Sequence, residues 1–133
     1  MTTDEGTVLP GFEVAFTRDT LVRYAGASTD FNPIHYSDRK AHELGLPTVI
    51  AHGMLTMGTA LRVVTDWCGD PSRVLSYFVR FTNPVTVDDT DEGSTVNIGG
   101  TVTKVVDGVA TIAITAMFND TKVLGAATAE VRL

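Results

Sequence analysis

The chain has 133 residues, 44% of them hydrophobic and 20% charged, with a net charge of −6. That length fits one domain, residues 1–133, with one core, and the acidic balance excludes nucleic acid and anionic membrane as general partners. No apolar run approaches the roughly 18–20 residues that cross a bilayer. The N-terminal Met-Thr-Thr-Asp-Glu-Gly lacks the basic and apolar regions of a secretory signal. The single cysteine, Cys68, has no internal partner, so a reducing cytoplasm is expected.

In chain order, residues 12–16 alternate as a strand, and Thr17 then reads as the N-cap of a helix carrying Leu21, Val22 and Ala25 on one face. That helix is expected to end near Ser28. Asp38 to Leu44 reads as a short helix, with Gly45 just past its end and Pro47 beyond. Gly53 to Trp67 is apolar almost all round, which predicts a helix in the middle of the fold, with its Met residues as core filler. Cys68, in the same apolar setting, reads as a small hydrophobe rather than a nucleophile. After Pro71, residues 73–81, 94–106, 109–118 and 122–132 read as strands. Asp107-Gly108 predicts a tight hairpin turn, Asn119-Asp120 another turn, and Gly99-Gly100 a bulge or bend. The acidic run Asp88, Asp89, Asp91, Glu92 reads as a solvated loop. The whole predicts an α+β fold: a long antiparallel sheet wrapped around one apolar helix.

The chemistry is concentrated in Asp30-Phe31-Asn32-Pro33-Ile34-His35. Pro33 fixes its own φ and keeps Asn32 out of the helical region, so this segment must be a turn. A helix would point residues five apart about 140° away from each other, whereas a turn can aim both side chains at one spot. An acid and an imidazole that converge can hold and polarise one water. Against this stands the plainer possibility that Asp30 or Asn32 only caps its own turn.

The surroundings favour the chemical reading. Tyr24-Ala25-Gly26-Ala27-Ser28-Thr29-Asp30-Phe31-Asn32-Pro33-Ile34-His35-Tyr36-Ser37-Asp38, with Ala41 three residues on, resembles the signature of MaoC-like (R)-specific enoyl-thioester hydratases and dehydratases, the hydratase 2 family. Ala51-His52-Gly53-Met54 and Val79-Arg80-Phe81-Thr82-Asn83-Pro84-Val85 supply two further blocks in the family's order. The run 51–58 and Trp67-Cys68-Gly69-Asp70-Pro71 are most similar to the catalytic B subunit of mycobacterial-type (3R)-hydroxyacyl-ACP dehydratases. One position departs: Thr29 stands where the family usually has Gly, a residue that tolerates backbone angles a β-branched one avoids.

The resemblance implies a hot-dog fold, Asp30 and His35 as catalytic residues, and reversible conversion of a trans-2-enoyl thioester to its (3R)-3-hydroxyacyl partner on acyl carrier protein or coenzyme A. Hydration needs a base for the water, an acid for Cα and a donor for the thioester oxygen. Gly53, at a helix start, is the candidate donor, close helix–sheet packing being its alternative role. Asn32 either orients Asp30 or touches substrate, or it forms the turn. His52 reads as a structural hydrogen bond, and Arg80 as the partner of a carboxylate. Asp30-x-Asn32 opens like a calcium loop, but position twelve is Ala41 rather than an acid. His35, Asp38 and His42 lack the spacing of a metal motif, and no phosphate loop or nucleophile elbow is present. No metal and no cofactor are expected. An acyl-thioester hydrolase on the same fold and a non-catalytic acyl-binding subunit are the alternatives. Exposed strand edges and the need for an acyl tunnel predict a dimer, and the resemblance adds the option of a second, different hot-dog subunit.

Overall fold

The computed structural model describes residues 3–133. Strand β1 (Val8–Phe16) leads into helix α1 (Arg18–Ser28). Thr17 caps α1: its hydroxyl accepts from the Thr20 N–H at 3.2 Å, and the Thr20 hydroxyl accepts from the Thr17 N–H at 3.1 Å. Two orphan donors of the first turn are thereby satisfied reciprocally. Leu21 and Ala25 are buried, but Val22, expected beside them, is 62% exposed. At 100° per residue Val22 stands off the Leu21–Ala25 line, and nothing packs over it. Helix α2 (Asp38–Glu43) is capped by Ser37 and closed by Gly45 at φ +80°.

The expected 53–67 helix is two pieces, α3 (Gly53–Ala60) and α4 (Arg62–Cys68), which meet at Leu61. Leu61 is itself helical and still donates to the Met57 carbonyl at 3.3 Å, so the break is local. Nor is the helix enclosed on all sides. Thr56, Ala60, Val63 and Val64 are buried, whereas Met54 is 59% exposed and Gly58, Arg62 and Asp66 face outward. A single sheet covers only one side of a helix. Cys68 is half-buried against the core, with carbonyls of Thr65 and Asp70 near its thiol.

Strands β2 (Val74–Phe81), β3 (Ser94–Val106), β4 (Val109–Phe118) and β6 (Leu124–Arg132) join β1 in one antiparallel sheet of order β1-β3-β4-β6-β2. Short β5 (Thr121–Lys122) pairs with β4. Asp107 and Gly108 both take positive φ, +52° and +76°, as a type I′ turn requires. Alternate residues face the helix: Val96, Ile98 and Val102 on β3, Ala110, Ile112, Ile114 and Ala116 on β4, Ala129 and Val131 on β6. This is the hot-dog arrangement.

Gly99-Gly100 pairs regularly with Thr115 and Ile114, so the expected bulge is not there. It lies opposite, on β1, where Pro10 and Gly11 together span Gly99. Pro10 has no N–H to give the ladder, and a Cβ on Gly11 would come within 2.7 Å of the Ile98 carbonyl oxygen. Gly100 faces the core, where a Cβ would meet Ile112, Leu9 and Val63 at 3.4 Å, ordinary packing distance. Arg80 pairs with no carboxylate among the described residues. It faces Gly125 across the sheet, which offers no side chain, and stands 6.0 Å over the Phe78 ring. The strand that carries it, β2, is a sheet edge, with Phe78 and Phe81 more than half exposed.

Candidate active site

The turn after α1 is built from its own short polar side chains. Ser28 Oγ accepts from the Asp30 N–H at 3.1 Å, Asp30 Oδ1 from the Asn32 N–H at 3.2 Å, and Asn32 Oδ1 from the Ile34 N–H at 3.2 Å. Each residue thus folds the chain two positions ahead of it. Pro33 opens a single 3-10 turn that ends at His35. The chain enters this turn through Thr29, at φ +62° and ψ +15°, the left-handed region that a β-branched residue avoids. Such a residue costs about 1–3 kcal/mol, part of which glycine gives back as unfolded-state entropy. Thr29→Gly is therefore expected to raise stability by about 1 kcal/mol, or ~3 °C in Tm. Thermal melts followed by circular dichroism check it, and a fall in Tm would show the strain to be offset elsewhere.

His35 is buried, and its Nδ1 lies 2.7 Å from the Ile50 carbonyl oxygen. A carbonyl only accepts, so Nδ1 carries the proton and Nε2 is left free. The Ile50 carbonyl is itself held in place. Ile50 donates to Ile34 at 3.2 Å, and residues 49–51 pair with 85–87 through Ala51 N–H to Val85 O (2.8 Å) and Val87 N–H to Val49 O (2.9 Å). Arg18 secures this strap from below, donating to Val87 O at 2.7 Å and to Thr48 Oγ1 and Asp38 Oδ1 at 2.9 Å each. The Thr48 hydroxyl lowers the Asp38 pKa most; desolvation opposes it, and Arg18 and the Val49 N–H add enough to hold the carboxyl below its ordinary value.

A carboxylate oxygen of Asp30 and ring nitrogens of His35 and His52 lie within 4.8 Å of one another. Two hydrogen bonds of about 2.8 Å through one water span up to ~5.6 Å, so Asp30 and His35 have room for a shared water. They stand at one end of a cavity of about 430 Å³. Its walls are mainly apolar, from Ile34, Ile50, Met54, Phe81, Val123 and Leu124, with Thr82 and Asn83 adding polar groups. Gly53 also lines it and is the first residue of α3, whose cap, His52, makes no side-chain capping bond. The Gly53 N–H has no acceptor among the described residues. A Cβ on Gly53 would sit 3.0–3.2 Å from the Phe81 ring, so the bare backbone is what fits there.

Asn32 is not among the cavity's lining residues. Its amide oxygen is spent on the Ile34 N–H, which is the turn-forming role. Thr56, buried and in the lining, went unnoticed in the sequence because it interrupts an apolar run by one residue. Its spacing of three from Gly53, one helical face, was the available signal. His35, Asp38 and His42 do not converge: Asp38 faces Arg18, and His42 faces the Pro47 carbonyl at 2.8 Å. The cluster that does form, Asp30, His35 and His52, is poorly shaped for a metal. The two rings stack with centroids 3.8 Å apart and planes 23° from parallel. An ion about 2.1 Å from each would lie far out of both ring planes, away from the lone pairs.

An antiparallel sheet over a helix, with an acid and an imidazole lining one cavity, defines a hot-dog protein with a candidate site at that cavity. Residues 3–117 match the MaoC like domain family, and the chain belongs to it. The 3-hydroxyacyl-thioester dehydratase X of Mycobacterium tuberculosis is 40% identical over 76 residues, 57% of this chain and 26% of that protein. A MaoC-like dehydratase of known structure matches with a TM-score of 0.94 at 38% identity, over 98% of this chain and 41% of that one. A chain of the ChsH1-ChsH2 complex from Mycobacterium tuberculosis matches with a TM-score of 0.86 at 28% identity, over 99% of both. This chain therefore spans about a quarter of the first relative's length and two-fifths of the second's.

Proposed function

We propose that the chain is a hydro-lyase that interconverts a trans-2-enoyl thioester and the (3R)-3-hydroxyacyl thioester, on acyl carrier protein or coenzyme A, in fatty-acid metabolism. The observation that carries this reading is the convergence of Asp30 and His35 on one water-sized gap, beside the unpaired N–H of Gly53. In hydration the water's oxygen bonds Cβ, one proton goes to Cα, and the thioester oxygen carries the negative charge between the two events. Asp30 and His35 take and return the protons as a coupled pair. The Gly53 N–H, at the positive end of α3, faces the charged oxygen. A single water handled by both residues delivers hydroxyl and proton to one face, which makes the addition syn. The family resemblance, rather than the geometry, sets the expected face: hydration of crotonyl thioester on each carrier, followed by chiral chromatography, should give only the 3R alcohol. A 3S product would overturn the reading.

The smallest active unit in this proposal is a dimer of hot-dog chains in the cytoplasm. Among the described residues the outer edge of β2 has no neighbour, Met54 and Phe81 leave apolar surface in the cavity lining, and Phe78 exposes more on the same strand as Phe81. An acyl chain longer than the 430 Å³ cavity needs a second subunit to enclose it. That partner is another copy or, as the ChsH1-ChsH2 relative suggests, a different hot-dog subunit. Light scattering during size-exclusion chromatography, alone and with such a partner, is expected to show twice the 14.2 kDa chain mass or a one-to-one complex. A fully active monomer would end this part of the proposal.

A further inference from the structure

We propose that His52 is a positioning residue for the Asp30–His35 pair, holding the backbone of one and the ring of the other with a single uncharged imidazole. The inference rests on the hydration reading above and assigns His52 a place in it. His52 is 1% exposed. Its Nε2 donates to the Asp30 main-chain carbonyl at 3.2 Å, 22 residues away in the chain. Its ring stacks on His35 at 3.8 Å, and the edge of Tyr24 meets it at 4.7 Å.

Each contact supplies a constraint that nothing else provides. His35 is tied to Ile50 through Nδ1 alone, and one hydrogen bond leaves a ring free to rock about the bond axis. A second ring lying flat against it removes that rocking and so aims Nε2. Asp30 is exposed and follows the strained Thr29. Its N–H and carboxylate oxygen bond only within the turn, so its carbonyl bond to His52 is what ties Asp30 itself to the start of α3, while Ile34 and His35 are tied to Ile50. Residue choice supports the same role. His52 Nδ1 is enclosed with no partner, a cost that a phenylalanine would avoid. Histidine is worth that cost only if the other nitrogen is used.

The imidazole has to stay neutral to do this. Protonation would bury a second N–H without an acceptor and set a cation against His35. The titratable groups that face His52 are His35, Asp30 and Tyr24. Burial holds its pKa below the ordinary histidine value, the Asp30 carbonyl partly opposing and His35 adding to the fall. A histidine depressed in the folded state binds its proton first in the unfolded chain. Its contribution to stability is therefore complete above about pH 6.5 and is lost as pH falls toward the depressed value.

The test compares His52→Ala, His52→Gln and His52→Phe, each confirmed folded by circular dichroism, in crotonyl-thioester hydration. His52→Ala is expected to lower kcat at least tenfold with KM within threefold. Glutamine returns a donor to Asp30, phenylalanine returns the stack, and each should recover part of the loss. Where the alanine variant fails to fold, the contrast of the other two with wild type decides. In 15N-histidine NMR the wild-type His52 should be neutral and protonated on Nε2 at neutral pH, and should begin to charge only below the ordinary histidine value of about 6.5. All three variants should flatten the fall of Tm below about pH 6.5. An unchanged kcat, a rise confined to KM, or a charged His52 near neutral pH would each overturn the proposal. A wild-type chain inactive on both carriers would instead sink the hydration reading, and the NMR titration would still decide whether His52 holds the pair uncharged.

Discussion

Asp30→Asn and His35→Ala are each expected to cut kcat/KM by at least about 100-fold, the low end for losing an acid–base group. The asparagine side chain keeps an oxygen for the Asn32 N–H that Asp30 Oδ1 now receives, so the turn survives while the titrating carboxyl is gone. His35→Ala removes the ring nitrogen that this reading pairs with that carboxyl. Because both residues handle the same water, the double variant should be hardly worse than either single one. Steady-state hydration rates on folded variants check this. A tenth of wild-type rate surviving in either would refute the shared-water mechanism.

The largest effect on stability is expected far from the water. Gly93 lies just before β3 at φ +65°, and a Cβ there would run into the Phe16 carbonyl and Thr17 Cα. Both neighbours are backbone, so the clash cannot be relieved by turning a side chain. Gly93→Ala should cost about 3 kcal/mol, from left-handed strain and overpacking together, and lower Tm by ~10 °C. The damage falls on the joint where β1 hands the chain to α1, the helix that delivers Asp30. Denaturant titration measures it. A loss under about 1 kcal/mol would mean that the joint moves freely.

Much of this protein was determined by short stretches of sequence, where neighbouring residues act on their own backbone. Thr17 and Thr20 close a capping box within one turn. Asp107-Gly108 takes the positive φ pair that only such residues take cheaply. Asp30 and Asn32 shape the turn around Pro33 by bonds two residues long. The mismatch at Thr29 was visible only through the family resemblance, which sets Gly there, and the positive φ behind it came with the fold. Asn32 was legible as to its turn but not as to its role, since a capping oxygen and a substrate contact look alike until the cavity wall is known.

The tertiary structure alone decided which faces meet. Val22 follows the helical pattern yet is exposed, because no element covers it. The helix from Gly53 reads as apolar all round, but one sheet shields one side of it and leaves Met54 out. Gly99-Gly100 is level in β3, and the bulge belongs to Pro10-Gly11 across the ladder, a choice made by strand pairing. Arg80 finds no carboxylate because register sets it opposite Gly125. The site itself depends on contacts 15 to 69 residues apart: His35 to Ile50, His52 to Asp30, Arg18 to Val87. Hydrogen bonds and stacking act over a few ångströms of space, whatever the distance along the chain, so a local pattern shows that an acid and an imidazole can converge, and only the closed fold sets what holds them there.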